Sequence, residues 1–423
     1  MNHFIYRRGE LYCEDVPLRK IAEAVGTPTY VYSSATLTRH FQVFDEPFRK
    51  VDHLVCFSVK SLSNLAVLRL FGNLGSGFDI VSGGELFRVE QSGGDTRKVV
   101  FSGVGKTDEE IRYALRKRIL LFNVESESEL ERVNFFAGRM KKKARVCLRV
   151  NPDVDPHTHK HISTGLKQNK FGIETERAME IYSRFRKYRH LEMAGVDCHI
   201  GSQMVEMEPI LKAMTRLVEL VKRLKGMGLG IRYLDLGGGL GITYQNESPP
   251  PPSRYAQEII NFARDIDCKL ILEPGRVLVG NAGVLLLKVI HLKQGSAKNF
   301  VIADGGMNDL IRPALYGAHH EVWTVKEKPL KKGYVADLVG PICESTDFLA
   351  RNRPFPELNP GEYLAVMSAG AYGFVMANNY NSQPLPAEVL VSGSSFHVIR
   401  ERESFRHLIR GEKIPRFLQK APR

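Results

Sequence analysis

Eight short apolar runs recur between residues 52 and 273, and helix-like segments separate them. Two of these segments begin with capping-box pairs, Thr107 with Glu110 and Ser126 with Glu129, which indicate helix starts. The apolar runs lie at residues 52–59, 77–82, 98–102, 119–123, 144–150, 193–199, 232–236 and 269–273. This alternation favours an α/β fold with a closed (β/α)₈ TIM barrel. An open doubly wound sheet is the alternative, but it seldom reaches eight regular units.

The pattern changes after about residue 280, where short strand-like runs follow one another with turn residues between them and few helices. Such runs are typical of a separate, mostly antiparallel β domain. We therefore expect three parts. Residues 1–34 form an N-terminal segment that joins the β domain, residues 35–279 form the barrel, and residues 280–423 form the C-terminal β domain.

The net charge of +13 raises the question of nucleic-acid binding. The basic residues are scattered, and the densest cluster is the short run 141–143 with Arg145. Zinc-finger spacing and aromatic RNA-binding motifs do not accompany it. A solvated basic surface and small anionic ligands explain the charge more simply, so we expect no nucleic-acid partner.

The six cysteines are far apart and form no CxxC pair, which is typical of a reduced, cytoplasmic protein. The N-terminus lacks an apolar export segment, and no run reaches the length of a membrane span. We expect a cytoplasmic protein without a membrane partner.

Lys60 directly follows the first apolar run and precedes a helix-like segment. The carboxyl ends of barrel strands form the usual ligand site of this fold. A buried amine there has a lowered pKa and becomes a nucleophile towards carbonyl groups. The alternative is an ordinary lysine that extends into solvent.

Residues suited to ligand binding lie in or directly after five of the other predicted strands. The run 237–241, GGGLG, follows the seventh strand and fits either a phosphate loop or a tight turn. Glu273 and Arg276 follow the eighth strand and could form a structural ion pair. Alternatively, Glu273 could bind a protonated ring nitrogen of a cofactor.

His199 and Ser202 lie at and after the end of the sixth predicted strand, Asp79 lies within the second, and Arg149 ends the fifth. His199 is either a packing residue or a ring that stacks on an aromatic cofactor, with Ser202 donating to a phosphate oxygen. Because lysine, histidine, glycines and glutamate all fall at strand ends, they indicate one site at the mouth of the barrel.

His157, His159 and His161 could suggest a metal site, but turn residues on both sides indicate a loop. We expect no metal there, and a lid over the site is the favoured role.

Together these motifs resemble the barrel-type, alanine-racemase-like family of pyridoxal-phosphate decarboxylases of basic amino acids. The resemblance covers nearly the whole chain. FSVK differs from the YAVK that is more usual in the family, which alters the packing of the lysine and leaves its chemistry intact. The motifs that carry the resemblance are FSVK, GFDIVSGGE, HISTGLKQNKFGI, HIGSQ, LDLGGGLG, EPGR, GPICESTD and GAYG.

The resemblance implies a pyridoxal 5′-phosphate cofactor bound to Lys60 as a Schiff base, with His199 stacked on the ring and Glu273 paired with its nitrogen. Asp79 and Arg149 would support the ring side. The phosphate would be held by Ser202, Gly238, Gly239, Gly275 and Arg276, and Tyr372 would contact both cofactor and substrate.

The family also implies a homodimer with shared active sites, to which the partner subunit contributes Cys343 and Glu344. Cys343 would protonate the carbanion after carbon dioxide leaves. Arg312 and Tyr316 would bind a substrate carboxylate, together with Arg276.

Paired arginines suit a substrate with a distal carboxylate, and Glu344 suits its distal ammonium. Meso-diaminopimelate has both groups, so we expect its decarboxylation to L-lysine and carbon dioxide, the last step of lysine biosynthesis. Decarboxylation of ornithine, arginine or carboxynorspermidine on the same scaffold is the alternative.

Overall fold

The computed structural model describes residues 2–154, 170–330 and 333–419. The predicted lid histidines, His157, His159 and His161, lie outside the described residues. Within the described ranges, no helix is long and apolar enough to cross a membrane.

Eight parallel strands of the described chain close into a barrel, which confirms the predicted fold. The strand Lys269–Leu272 pairs with the first, His53–Ser58, and completes the ring. All eight carboxyl ends therefore meet at one end of the barrel, called the barrel rim below. In chain order the strands are His53–Ser58, Gly77–Ile80, Val99–Phe101, Leu121–Val124, Ala144–Asn151, Leu191–Asp197, Tyr233–Asp235 and Lys269–Leu272.

Helices follow the barrel strands and cover the outside of the barrel. A further helix, Ser34–Asp45, precedes the first strand, and the short strand Ile173–Glu174 pairs beside the fifth. The covering helices are Leu65–Asn73, Gly83–Gln91, Asp108–Lys117, Glu127–Arg139, Thr175–Ser183, Glu208–Gly226, Pro252–Ala263 and Arg276–Val279.

One of the two predicted capping boxes is complete. Thr107 and Glu110 exchange both hydrogen bonds at the start of Asp108–Lys117. The second prediction is wrong in its reciprocal half, because Ser126 accepts from the Glu129 N–H while the Glu129 carboxylate turns elsewhere. That carboxylate accepts from the Glu125 N–H at 3.0 Å and pairs with Lys106 at 2.7 Å.

The barrel interior is filled by a small apolar cluster that is separate from the core between barrel and helices. Its buried members come from six different strands, so the barrel is a packed core below the rim. They are Cys56, Val100, Leu121, Cys147, Ala194 and Ile271. The polar residues of the rim lie above this apolar floor.

A second, mostly antiparallel sheet follows the barrel, as the sequence predicts. The N-terminal strand Thr29–Ser33 lies within it, between Gly283–Gln294 and Ala387–Ser392. The domain limits at residues 34 and 279 stay a prediction. The order of the main path is Phe348–Phe355, Tyr334–Val339, Asn299–Ala303, Gly283–Gln294, Thr29–Ser33, Ala387–Ser392 and Ser395–Arg400.

Two further strands, Tyr363–Val366 and Val322–Thr324, extend this sheet from Gly283–Gln294. The first residues form a small sheet of Phe4–Arg7, Glu10–Cys13 and Val16–Pro17, followed by the helix Leu18–Val25. Two short helices, Arg312–Tyr316 and Phe405–Leu408, occur late in the chain.

The sequence did not predict the strand Phe348–Phe355. Its sequence FLARNRPF contains two arginines and a proline, which are unfavourable inside a sheet. The strand lies at the sheet edge, where these side chains are tolerated. Its position, and not its composition, explains the strand.

Glu388 joins the second sheet to the barrel. It is buried, and its carboxylate accepts from the Tyr32 hydroxyl at 2.9 Å, the Asn64 amide at 2.8 Å and the Arg400 guanidinium at 2.7 Å. Asn64 precedes the first barrel helix, Leu65–Asn73. A single buried carboxylate thus satisfies donors from both parts of the fold.

Replacing Glu388 by alanine should lower the free energy of unfolding by about 2–3 kcal/mol, because buried donors lose their acceptor. Urea denaturation of the two proteins measures this difference. Glu401→Ala, at an exposed position nearby in the chain, is the control and should have little effect. Equal stability of the two variants would contradict the role given to Glu388.

Candidate active site

A cavity of ≈ 320 Å³ opens at the barrel rim. Its wall includes seven of the residues predicted from the sequence: Lys60, His199, Ser202, Arg276, Arg312, Tyr316 and Tyr372. A second cavity of ≈ 390 Å³ shares Lys60 and His199 with it and also contacts Arg149 and Glu273. The two cavities form one site around the lysine and the histidine.

Lys60 follows the first barrel strand, and its ammonium donates to Asp79 Oδ2 at 2.6 Å. The same oxygen accepts from the Ser58 hydroxyl at 2.5 Å. Burial lowers the pKa of Lys60, but the negative charges of Asp79 and Glu273 outweigh it, so the net pKa is raised. The sequence predicted a lowered pKa for Lys60, and this prediction is wrong.

His199 is fixed from two sides. Its Nδ1 accepts from the Gly238 N–H at 3.0 Å, so the remaining ring proton is on Nε2. The Arg149 guanidinium donates to the His199 carbonyl at 3.3 Å and to Glu125 at 2.9 Å. Burial, Arg149 and Lys60 hold the pKa of His199 well below its usual value, so the ring is a neutral, flat surface.

Glu273 follows the last barrel strand and is buried in a polar network at the barrel rim. Its Oε1 accepts from the Ser102 hydroxyl at 3.2 Å, and its N–H donates to the Gly237 carbonyl at 2.7 Å. Burial and the neighbouring Asp235 and Asp79 raise the pKa of Glu273 well above its ordinary value. A cation beside this carboxyl group would favour its ionised form and so offset part of the effect of burial.

The glycine loop after the seventh strand leaves no room for side chains. A Cβ on Gly238 would lie 2.2 Å from the Glu273 carbonyl oxygen. Gly239 has a φ of +115°, and a Cβ there would lie 2.4 Å from the Gly201 carbonyl oxygen. Gly275, which follows the eighth strand, is less crowded, and a Cβ there would lie 3.0 Å from the side chains of Ser58 and Ser61. The loop therefore presents bare backbone to the rim.

Arg276 lies next to this loop and is 7% exposed. Its guanidinium donates to the Ser202 hydroxyl at 3.0 Å and to the Tyr244 hydroxyl at 2.8 Å. Its Nε is buried and has no hydrogen-bond partner among the described residues. A phosphate at this place would meet a fixed cation, a hydroxyl and open backbone.

Tyr372 packs against Arg276, whose Cζ lies 4.9 Å from the centre of the tyrosine ring. Tyr372 has a φ of 55°, which is uncommon for a residue other than glycine, and its N–H donates to the Ser61 carbonyl at 2.9 Å. Such a conformation at a cavity wall is typical of functional sites.

The structure does not bring Cys343 and Glu344 into this cavity. Cys343 is exposed, and its N–H donates to the Asn381 side chain at 2.7 Å. Glu344 is also exposed and accepts from the Tyr380 hydroxyl at 3.4 Å. Their roles stay predictions, which require a second subunit.

Gln203 and Tyr244 are two of the cavity residues that the sequence interpretation missed, and it also missed His320, which contacts Arg312 from behind the cavity wall. Gln203 pairs with both backbone groups of Ile242, at 2.6 and 3.1 Å, and so fastens the glycine loop to the loop after the sixth strand. Gln203 belongs to the HIGSQ motif, which was the available signal. Tyr244 and the buried His320 lie in loops without a recognisable motif.

The arrangement suits one kind of ligand. Lys60 offers an amine, His199 a flat ring, Glu273 a buried acid, and Arg276 with the glycines an anion cradle. A phosphorylated aromatic aldehyde with a ring nitrogen would use all four. The residues present therefore fit pyridoxal 5′-phosphate.

Comparison with known proteins agrees with this fit. Residues 34–280 match the pyridoxal-dependent decarboxylase family, pyridoxal binding domain. The chain belongs to this family of pyridoxal-dependent decarboxylases, and pyridoxal 5′-phosphate is its cofactor.

Two relatives that are similar over almost their full length are diaminopimelate decarboxylases. That of Haemophilus influenzae is 50% identical over 409 residues, covering 96% of this chain and 98% of the relative. That of Pseudomonas aeruginosa is 52% identical over 414 residues, covering 98% and 99%. The resemblance found in the sequence is thereby confirmed along nearly the whole chain.

Two solved structures that are similar to this chain are also diaminopimelate decarboxylases. Diaminopimelate decarboxylase from M. jannaschii, in complex with L-lysine, has a TM-score of 0.94 at 38% identity and covers 99% of this chain and 100% of that chain. The enzyme from Helicobacter pylori with L-lysine has a TM-score of 0.90 at 39% identity, covering 93% and 98%.

Replacing Gly239 by alanine should weaken binding of pyridoxal 5′-phosphate by about 10- to 100-fold, because the added methyl group collides with the Gly201 backbone at a positive φ and displaces the loop. Fluorescence titration of the cofactor measures the affinity. Gly230→Ala is the matched control, since a Cβ there meets nothing within 4 Å. Unchanged affinity in Gly239→Ala would show that the loop does not hold the phosphate.

Proposed function

We propose that this protein is a carboxy-lyase that decarboxylates meso-2,6-diaminopimelate to L-lysine and carbon dioxide, the last step of lysine biosynthesis. The observation that carries this proposal is a pair of buried arginines beside Lys60. Arg276 and Arg312 are 7% and 6% exposed, and their hydrogen bonds within the described residues go to hydroxyl groups and an imidazole. The names of the relatives support the same substrate.

Most of the predicted cofactor ligands lie in the two cavities or contact residues that do. Lys60 would hold the aldehyde carbon, with Asp79 beside its nitrogen. His199 would stack on one face of the ring, and Glu273 would pair with the ring nitrogen, while Arg149 supports the His199 backbone. The phosphate would be bound by Ser202, Gly238, Gly239, Gly275 and Arg276.

Bound pyridoxal 5′-phosphate supplies an electron-accepting ring that stabilises the negative charge left when carbon dioxide departs. The buried Glu273 favours a proton on the ring nitrogen, because a cation there offsets the cost of ionising its carboxyl group. Asp79 orients the Lys60 amine and accepts its hydrogen bond. Cys343 Sγ of a second subunit would then deliver the proton that replaces carbon dioxide.

The distal end of the substrate would be recognised by charge. Arg312 binds the distal carboxylate, with Arg276, Tyr316 and Tyr372 forming the nearby wall. Glu344 of a second subunit binds the distal ammonium. An ornithine decarboxylase would leave a buried arginine without its anion, which is unfavourable, so diaminopimelate is preferred over ornithine, arginine and carboxynorspermidine.

We also propose a homodimer in the cytoplasm with shared active sites. Cys343 and Glu344 lie outside the cavity of their own subunit and are exposed, which leaves them accessible to a partner's site. The six cysteines are unpaired, in keeping with a reducing compartment.

Lys60→Ala should abolish lysine production from meso-diaminopimelate, because the amine that anchors the cofactor is lost. Carbon dioxide and L-lysine are quantified together, with ornithine and arginine as competing substrates. Lys50→Ala, at the exposed opposite end of the first strand, should retain activity. Persistent turnover in Lys60→Ala would refute the assignment, and preference for ornithine would move it to the alternative substrate.

Shared sites can be tested by mixing Lys60→Ala with Cys343→Ala. Each variant alone should be inactive, but a mixed dimer contains one site with both native residues. After subunit exchange in equal amounts, activity should return to about a quarter of the wild-type value, set by random pairing and one native site per mixed dimer. If each site used Cys343 of its own subunit, no activity would return.

A further inference from the structure

His320 contacts Arg312 from the side away from solvent. The histidine is completely buried, and its ring approaches the Met367 carbonyl through Nδ1 at 2.8 Å. A carbonyl only accepts hydrogen bonds, so Nδ1 carries the proton. The opposite nitrogen, Nε2, is then an acceptor, and Arg312 Nη1 lies 3.0 Å from it.

The charge state of the histidine supports this geometry. Burial and the positive charge of Arg312 lower the pKa of His320 to about 3. At neutral pH the ring is therefore uncharged and can accept from the guanidinium. Protonation would place two cations against each other in the protein interior.

Tyr244 fixes the same guanidinium from a second direction. Arg312 Cζ lies 4.6 Å from the centre of the Tyr244 ring, a cation–π distance. The ring also meets His320 edge-on, with centres 5.3 Å apart and planes at 73°. Its hydroxyl accepts from Arg276 at 2.8 Å. One tyrosine therefore separates the two arginines and contacts both.

The uncharged partners of Arg312 leave its positive charge available to a ligand. A carboxylate in place of His320 would hold Arg312 equally well but would neutralise it. The imidazole and the phenol ring hold the guanidinium without supplying a negative charge. Arg312 therefore keeps its electrostatic capacity for an anion that enters the cavity, whose wall it forms.

We propose that His320, backed by Tyr244, is a positioning residue that aims Arg312 at the distal carboxylate of the substrate and so sets selectivity for a second carboxylate. The inference rests on the proposed function. His320 itself touches neither the cofactor nor the reacting carbon. Its effect should therefore fall on substrate binding and not on the chemical step.

The test uses His320→Leu and His320→Gln in the cofactor-loaded enzyme. Leucine removes the acceptor, and the KM for meso-diaminopimelate should rise about 10- to 100-fold with little change in kcat. The Kd of L-lysine, which retains the distal carboxylate, should rise in parallel when measured by calorimetry. Glutamine offers an amide oxygen near the Nε2 position and should restore most of the affinity.

A double-mutant cycle separates positioning from a general structural role. In an Arg312→Met background, His320→Leu should cause no further loss of L-lysine affinity, because there is no guanidinium left to aim. His53→Leu is the control for losing a partly buried histidine, since His53 pairs with Asp45 at the opposite end of the barrel. It should leave KM unchanged.

Two results would overturn the inference: an unchanged KM in His320→Leu, or an equal loss with and without Arg312. Failure of the proposed function is distinct from either, because the wild-type enzyme would then release no L-lysine from meso-diaminopimelate.

Discussion

Closure of the parallel barrel is the constraint on which the site depends. Lys269–Leu272 pairs with His53–Ser58, and this single pairing brings the residues after the first and last strands to the same rim. Lys60 and Glu273 are more than two hundred positions apart in the chain, yet they line one cavity. An open sheet of the same strands would place them at opposite edges, and the site would not form.

The barrel rim buries four carboxyl groups beside two cations. Asp79, Asp197, Asp235 and Glu273 all lie in the interior, and Lys60 and Arg149 supply the opposing charge. Burial and the neighbouring Asp197 raise the pKa of Asp235 to about 7. Cations offset this effect of burial: the Lys60 ammonium pairs with Asp79, and a cationic cofactor ring would favour the ionised form of Glu273.

The sequence predicted the parts of the site that follow strands. Apolar runs show where strands end, and barrel geometry shows that these ends meet. This is why the sequence could predict Lys60, His199, Gly238 and Glu273 as site residues. The sequence could not predict His320 and Tyr244 as site residues, because both lie in loops whose paths depend on packing against the second sheet. The pKa of Lys60 was predicted in the wrong direction for a related reason: burial can be read from an apolar run, but the carboxylates that outweigh it come from other strands.

The cations of the cavity differ in the charge of their partners, and this difference matches what each must do. Lys60 has a carboxylate at 2.6 Å and must exchange its proton to react with a carbonyl group. Arg276 and Arg312 have a hydroxyl, an imidazole and a phenol ring as neighbours, which leave their charge uncompensated. Arginine does not titrate in the physiological range, so these two groups can act only by binding anions. The cavity thus separates one cation that can take part in chemistry from two that hold the ligand in place.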